Sequence, residues 1–362
     1  MIVRSGGDTI RCYVHPVSLE IMHQTIVDEQ FINIVKKIHG ELLLGSWGSH
    51  VVELAACWTI VMILSGVYLW WPRRWTGFAG VLYPRLFSGK KPFWRDIHNV
   101  AGVWISAFAL ILILTGLPWA AFWGDYFKSI RTWTGTAVAR QDWSVGNESP
   151  QANSLGEHAS HTEGHETSHS AGHGAAKRAG AIIDWSEIDR VALSVRPLDL
   201  AAPVILSPPS KRHGDWTVQS MTGNRPRRVT LTISGSTGAV TSGQVFADRH
   251  WVDRVVGTGI ALHEGQLFGW LNQAIGLVTV LGLMLLSASG VVLWWRRRGV
   301  GVLGAPQAAQ TNTRSPLLWI SIIALAVYLP VFGASLLLVR LVEKSVLQRL
   351  SITRNWLGLA ET

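Results

Sequence analysis

Two stretches decide how this chain is read. The first is IHGELLLGSWGSHVVELAACWTIVMILSGVYLWWPRR, Ile38 to Arg74. The second is LHEGQLFGWLNQAIGLVTVLGLMLLSASGVVLWWRRR, Leu262 to Arg298. They align without a gap. His39 falls on His263, Gly45 on Gly269 and Ser65-Gly66 on Ser289-Gly290. Trp70-Trp71 falls on Trp294-Trp295, and Arg73-Arg74 on Arg297-Arg298. A hydrophobic helix entered at a histidine, and occurring twice, predicts two imidazoles facing each other across one bound metal centre.

Working outward, the apolar parts of both copies, Val51 to Trp71 and Ile275 to Trp295, are long enough as helices to cross a bilayer core of roughly 30 Å. Val100 to Trp123 and Leu317 to Val339 are two more such runs. Four of them in 362 residues predict a mainly α, polytopic membrane helix bundle with four spans. The 19 tryptophans agree, since many stand at the ends of the runs (Trp70, Trp71, Trp119, Trp123, Trp294, Trp295). Indole favours the headgroup region, which accommodates both its apolar face and its N–H.

The net charge of +9 is localised. Arg73, Arg74, Arg85, Lys90, Lys91 and Arg95 lie between the first two spans, against the single acid Asp96. Arg296, Arg297, Arg298 and Arg314 follow the third span with no acid before the fourth. The charge bias makes both loops cytoplasmic and assigns these cations to orientation and lipid headgroups rather than nucleic acid. The N-terminus and the C-terminal tail then lie outside. Arg340, Lys344, Arg349 and Arg354 fit an outside tail poorly, and a tail helix lying on the outer surface would reconcile them. Cys12 and Cys57 supply no disulfide framework and read as free thiols filling space. The first 30 or so residues lack the apolar region of an export signal, so an outside N-terminus requires a further helix upstream of Met1.

The repeat reaches upstream of its helices. Thr9 to Met22 and Arg228 to Val240 each read as a strand, a turn and a further strand. Before the second copy, Trp185 to Val195 is helical in pattern with Asp184 as N-cap. Pro203 to Leu206 and Asp215 to Ser220 are strand-like, and Asn224-Arg-Pro reads as a hairpin turn. Residues 181–249 therefore form a small α+β domain, and residues 1–37 the tail of a similar one. A polar linker near 145–180 carries His158, His161, His165, His169 and His173, which on a helix would line one face. That suits a divalent transition metal, or else the segment is a spacer enriched by chance.

His39 and His263 lie about 12 residues outside the apolar core of their helices, up to roughly 18 Å toward the outer face if those helices run straight. Glycines nearby would bend or loosen the segments and let a flat macrocycle approach the backbone. As a pair in register they suit axial ligation of haem iron; taken singly, each would cap or anchor an interface. His98, in Trp94-Arg-Asp-Ile-His98-Asn-Val, stands at the cytoplasmic start of the second span and suits a second haem, without another histidine near that face. Glu53 is a carboxylate inside a span, read either as a proton relay or haem hydrogen-bond partner or as a bundle-facing group paired with His50. No Walker loop, dinucleotide glycine turn, His-Glu-x-x-His or G-x-S-x-G motif is present.

With these residues in hand the chain resembles the PepSY-associated transmembrane family. The resemblance is carried by Ile38-His-Gly-Glu-Leu-Leu-Leu-Gly45, Gly66-Val-Tyr-Leu-Trp-Trp-Pro72, Trp94-Arg-Asp-Ile-His98, Leu114-Thr-Gly-Leu-Pro-Trp119, Leu262-His-Glu-Gly265 and Leu293-Trp-Trp-Arg296. It implies a bacterial inner-membrane protein with PepSY-like periplasmic domains, haem b held by His39, His263 and His98, and electrons flowing outward to a ferric siderophore or other ferric chelate. The family's first helix and its histidine would lie upstream of Met1. One haem is then expected in this chain, and a second with that upstream helix.

The expected layout is a PepSY-like remnant over 1–37, a first transmembrane helix over 38–71, a cytoplasmic loop over 72–97 and a second transmembrane helix over 98–123. A periplasmic linker over 124–180 and a PepSY-like domain over 181–249 follow. The third transmembrane helix covers 250–295, a cytoplasmic loop 296–315, the fourth transmembrane helix 316–340 and the tail 341–362. Two functions compete: a transmembrane haem oxidoreductase fed by an unidentified electron donor, and a non-catalytic PepSY-bearing assembly, sensor or regulatory protein with structural histidines. In the first, Fe(II) leaves a chelator whose hard oxygen ligands prefer Fe(III).

Overall fold

The computed structural model describes residues 2–5, 8–15, 18, 20–71, 77–87, 89–136, 186–209, 215–304 and 316–357. The chain divides into two compact units. The first takes Met1–Ile130, Val145–Asn147 and Thr279–Thr362, the second Arg131–Ser144 and Glu148–Val278.

The first unit opens with an antiparallel meander of β1 (Ile2–Ser5), β2 (Asp8–Val14) and β3 (Ile21–Ile26). Ile10 pairs with Ile26 and Cys12 with Gln24. A 3-10 turn over Val27–Glu29 leads into α1 (Phe31–Glu41), which ends at Leu42 in the left-handed region. Helix α2 (Gly45–Trp70) follows, then α3 (Lys90–Gly116) and α4 (Ala121–Trp133), the last two joined by a 3-10 turn over Leu117–Trp119 that contains Pro118. Helix α3 starts well before the expected position 98. Pro92 sits in its first turn, where a missing N–H costs nothing.

The second unit carries α5 (Glu187–Val195) and an antiparallel meander of β4 (Val204–Ser207), β5 (Trp216–Ser220), β6 (Val229–Ile233) and β7 (Val240–Val245). Val191 of α5 packs on Trp216, Val218 and Ile233, all fully buried. The Trp216 indole N–H donates to Glu187 Oε2 at 2.8 Å, which gives a buried polar tip its partner. The helix and strands expected over 185–245 are thus present, and Asn224-Arg-Pro leads into a 3-10 turn. Asp184 and Trp185 lie outside the described residues. Helix α6 (Trp251–His263) and α7 (Trp270–Arg297) complete the second copy, with α7 passing from the second unit into the first.

Both copies follow one plan: a strand meander, a 3-10 turn, a short helix, a break and a long apolar helix. The segments expected as single helices over 38–71 and 250–295 are each broken between histidine and span. In the first copy Leu42 and Leu43 have φ of 52° and 59°, then Gly45 has 60°. In the second, Gly265 has 72° and Gly269, the counterpart of Gly45, again 60°. Left-handed backbone cannot continue a right-handed helix.

Among the described residues, three helices are long and apolar enough to cross a membrane: Gly45–Trp70, Pro92–Trp119 and Trp270–Arg297, with mean hydropathy 1.9, 2.3 and 2.2. The fourth expected span, over 316–340, is not one helix. It consists of α8 (Pro316–Tyr328) and α9 (Pro330–Val342), 13 residues each. Pro330 has no N–H to give, and its ring clashes with the carbonyl one turn back. The chain turns sharply there: a Cβ on Gly333 would lie only 3.0 Å from the Cβ of Ala326, seven residues earlier. Carbonyls freed by the break find donors on α4: Trp123 Nε1 donates to Tyr328 O at 3.0 Å and Tyr126 Oη to Val327 O at 3.4 Å. Lipid offers no such partner, so the bundle has to. Leu329 and Phe332 at the fold join Cys57, Ile60, Leu117 and Trp123 in the core of the first unit.

Helix α9 then descends along α2, where Trp58 Nε1 donates to Ser335 Oγ at 3.1 Å. The last described helix, α10 (Ser351–Leu357), returns to the loop after α7, where Leu303 N donates to Trp356 O at 2.7 Å. The tail and the arginine-rich loop, expected on opposite faces, therefore meet at one end of the unit.

Candidate functional site

His98 lies in the first third of α3, half-buried against α7. Its Nδ1 is 3.0 Å from Ser289 Oγ, and Ser289 is fully buried. The ring lies close to the α7 backbone: a Cβ on Gly290 would stand 3.5 Å from His98 Cε1, in ordinary van der Waals contact. The Ser-Gly pair of the second copy is thus a shelf for the imidazole. Two residues before His98, the buried Asp96 accepts from Arg85 Nε at 2.6 Å, from Arg85 Nη2 at 2.9 Å and from Arg85 N at 3.2 Å. This fork holds the loop before α3 against the helix that presents His98, and Asp96 keeps the Arg85 guanidinium charged above even its ordinary range. Trp70 and Trp104 add indole bonds to the Val81 and Leu82 carbonyls of that loop.

His39 is exposed in the last turn of α1, and His263 is the half-buried last residue of α6. Each therefore occupies the same place in its copy, at the end of a short helix before a left-handed break. His39 belongs to the first unit and His263 to the second. Their surroundings differ in one instructive way. The counterpart of Gly48 is Asn272. A Cβ on Gly48 would collide with the Glu41 carbonyl, so α2 starts pressed against the end of α1. In the second copy Asn272 Nδ2 instead donates to Leu262 O at 2.9 Å, satisfying a C-terminal carbonyl of the histidine helix.

Glu53 is 2% exposed. Its Oε2 accepts the Phe122 N–H at 2.7 Å and its Oε1 the Trp123 N–H at 3.0 Å. These are second and third residues of α4, whose N-terminal donors have no partner within the helix. The carboxylate caps a helix 69 residues away in sequence. His50, its alternative partner, places Nδ1 2.6 Å from Ser46 O. His50 also lines a cavity of about 480 Å³ with Phe122, Asp125, Tyr126 and Ser129.

Sequence reasoning passed over a second buried pair. Arg131 Nη1 and Nη2 meet Asp253 Oδ1 and Oδ2 at 2.8 and 3.1 Å, with both side chains under 10% exposed. Asp253 stands in the first turn of α6, so this fork anchors the helix that ends at His263. Its partners are 122 residues apart, and no local pattern announces them. Ser289 was visible as a repeated Ser-Gly but without a role. The linker histidines 158, 161, 165, 169 and 173 lie outside the described residues.

Histidine imidazoles are the donor type that a haem iron would take. Among the described residues no three His, Cys, Asp or Glu side chains gather as a cage for a bare ion. A macrocycle asks only for axial imidazoles and a flat approach to backbone. Gly40, Gly45, Gly66 and Gly269 each border open space.

No curated protein sequence matches the chain. Residues 2–297, which include the first copy of the repeat, all but the last residue of the second and all three candidate spans, match the family model described as the PepSY-associated TM region. The chain is a multi-pass membrane protein of the PepSY-associated transmembrane family.

Proposed function

We propose that this chain is a haem-containing reductase of the bacterial inner membrane that passes electrons outward to a ferric complex, a ferric siderophore being the expected substrate. The observation that carries the reading is the placement of histidines toward both ends of α2. His39 precedes its first turn, and His98 enters α3 after the loop that follows its last. A 26-residue helix is roughly 39 Å long, so one station alone would not carry an electron from face to face.

Haem b, when bound, supplies an iron that gains and loses one electron. The remaining work belongs to the chain. His39 and His263, at matching places in the two copies of the repeat, would supply imidazoles for one haem, and His98 would supply one at the arginine-rich end of the first unit. Asp96 and Arg85 keep the His98 segment in place. The Glu53 carboxylate holds α4 over the packed helices, and the core of Cys57, Ile60, Leu117 and Phe332 keeps water out between the ends.

The optical spectrum of the purified chain tests this. Dithionite reduction should sharpen a Soret band and an α band. His39→Ala and His263→Ala should each remove the same haem, and His98→Ala a different, more labile one. A colourless protein would favour the non-catalytic assembly or sensor reading, and full haem content in either of the first two variants would show that the pair does not share an iron.

A further inference from the structure

We propose that Ser289 is a positioning residue that locks His98 in the tautomer with hydrogen on Nδ1, leaving the Nε2 lone pair as the ligand atom. The inference rests on the haem reading above but is argued from the hydroxyl itself. Ser289 Oγ stands between two groups, Leu286 O at 3.1 Å and His98 Nδ1 at 3.0 Å. A hydroxyl has one hydrogen. The carbonyl can only accept, so a hydroxyl bonded to it has spent its hydrogen there. The bond to the ring must then run the other way, from Nδ1–H to Oγ. Full burial of Ser289 leaves no water to offer an alternative.

The repeat supplies an internal control. Its counterpart Ser65 has no imidazole beside it. There Oγ sits 2.7 Å from Val61 O and 3.2 Å from Met62 O, donating back into its own helix. The hydroxyl at this place in the repeat therefore turns its hydrogen inward by default, and the lone pairs it leaves facing outward are what His98 meets in the second copy. A histidine whose other nitrogen donates to an oxygen is fixed in ring orientation and made a stronger ligand, an effect worth about 10- to 100-fold in metal affinity at other sites.

Two measurements on the full chain in lipid nanodiscs test this separately from the haem assignment. In haem-free protein labelled with 15N-histidine, His98 is identified by its loss in His98→Gln. Its Nδ1 should be the protonated nitrogen in wild type and in Ser289→Thr, and the ring should become a tautomer mixture in Ser289→Ala. Protonation at Nε2 in wild type, or no change in Ser289→Ala, would overturn the proposal whether or not haem binds. In the second measurement, haemin is titrated into the same proteins. Ser289→Ala should weaken the labile site about 10-fold or more, and Ser289→Thr should restore it. If the tautomer result holds but His98→Gln leaves haem binding intact, the assignment of haem to His98 fails and the hydrogen-bond assignment survives.

Discussion

The two copies of the repeat share a backbone plan and secure it by different means. In the second, the short helix α6 is anchored by a buried fork, Arg131 on Asp253, and its end is closed by the Asn272 amide. In the first, α1 has a surface pair, Lys37 Nζ to Asp28 Oδ1 at 3.4 Å, and its end is closed by direct backbone approach at Gly48. The long helices differ as well. Position 53 in the first is a buried glutamate that caps α4, and its counterpart Leu277 is an exposed leucine. Ser289-Gly290 holds a histidine, whereas Ser65 is exposed. What the repeat conserves is the sequence of elements and the left-handed glycine before each span. Each copy satisfies its own helix ends with whatever neighbours it has.

The sharpest way to break this comparison is Arg131→Ala. It strands a buried carboxylate and should cost about 3–5 kcal/mol, read as a lowered midpoint in denaturant titration of the purified chain. Exchanging the copies at one position comes next. Glu53→Leu installs the second copy's residue and leaves the Phe122 and Trp123 N–H groups without acceptors, a loss of about 1–3 kcal/mol. If Glu53→Leu proved as stable as wild type, α4 would not depend on this cap. Asn272→Ala removes a single carbonyl bond and should cost about 1 kcal/mol. Lys37→Ala belongs at the bottom, below about 1 kcal/mol, since one partner is 73% exposed and screened by water. A Lys37 effect as large as that of Arg131 would erase the contrast between the two anchors.

Much of this was legible in the sequence because it is local. The gapless repeat, three of the spans and the strand meanders follow from periodicity over neighbouring residues. The break after α1 was legible only as a bend or loosening at nearby glycines; its exact place was not, because Leu42 and Leu43, good helix formers, share the left-handed backbone with Gly45. Pro330 did signal the fold between α8 and α9, yet hydropathy averaged over the window hides a single proline. Glu53 was legible as an exceptional carboxylate, but its role depends on donors far along the chain. The same holds for Arg131 with Asp253, and for Ser289 with His98, 191 residues apart. Pairs of that separation exist only once the helices have packed.

The fold at Leu329-Pro330 bears on how the chain enters the membrane at all. A helix of 13 residues is about 20 Å long, too short to cross a core of roughly 30 Å. Folded on each other, helices α8 and α9 would instead form a re-entrant loop that enters and leaves the bilayer on one side. Arg340, Lys344, Arg349 and Arg354 then never travel through hydrocarbon, a passage that scales of helix insertion rate at about 2.5–3.5 kcal/mol for each cation at the bilayer centre. The loop is also unfit to insert first, because its Val327 and Tyr328 carbonyls wait for donors on α4. A reporter fused after α10 should accordingly light up on the same side as one placed in the loop after α7.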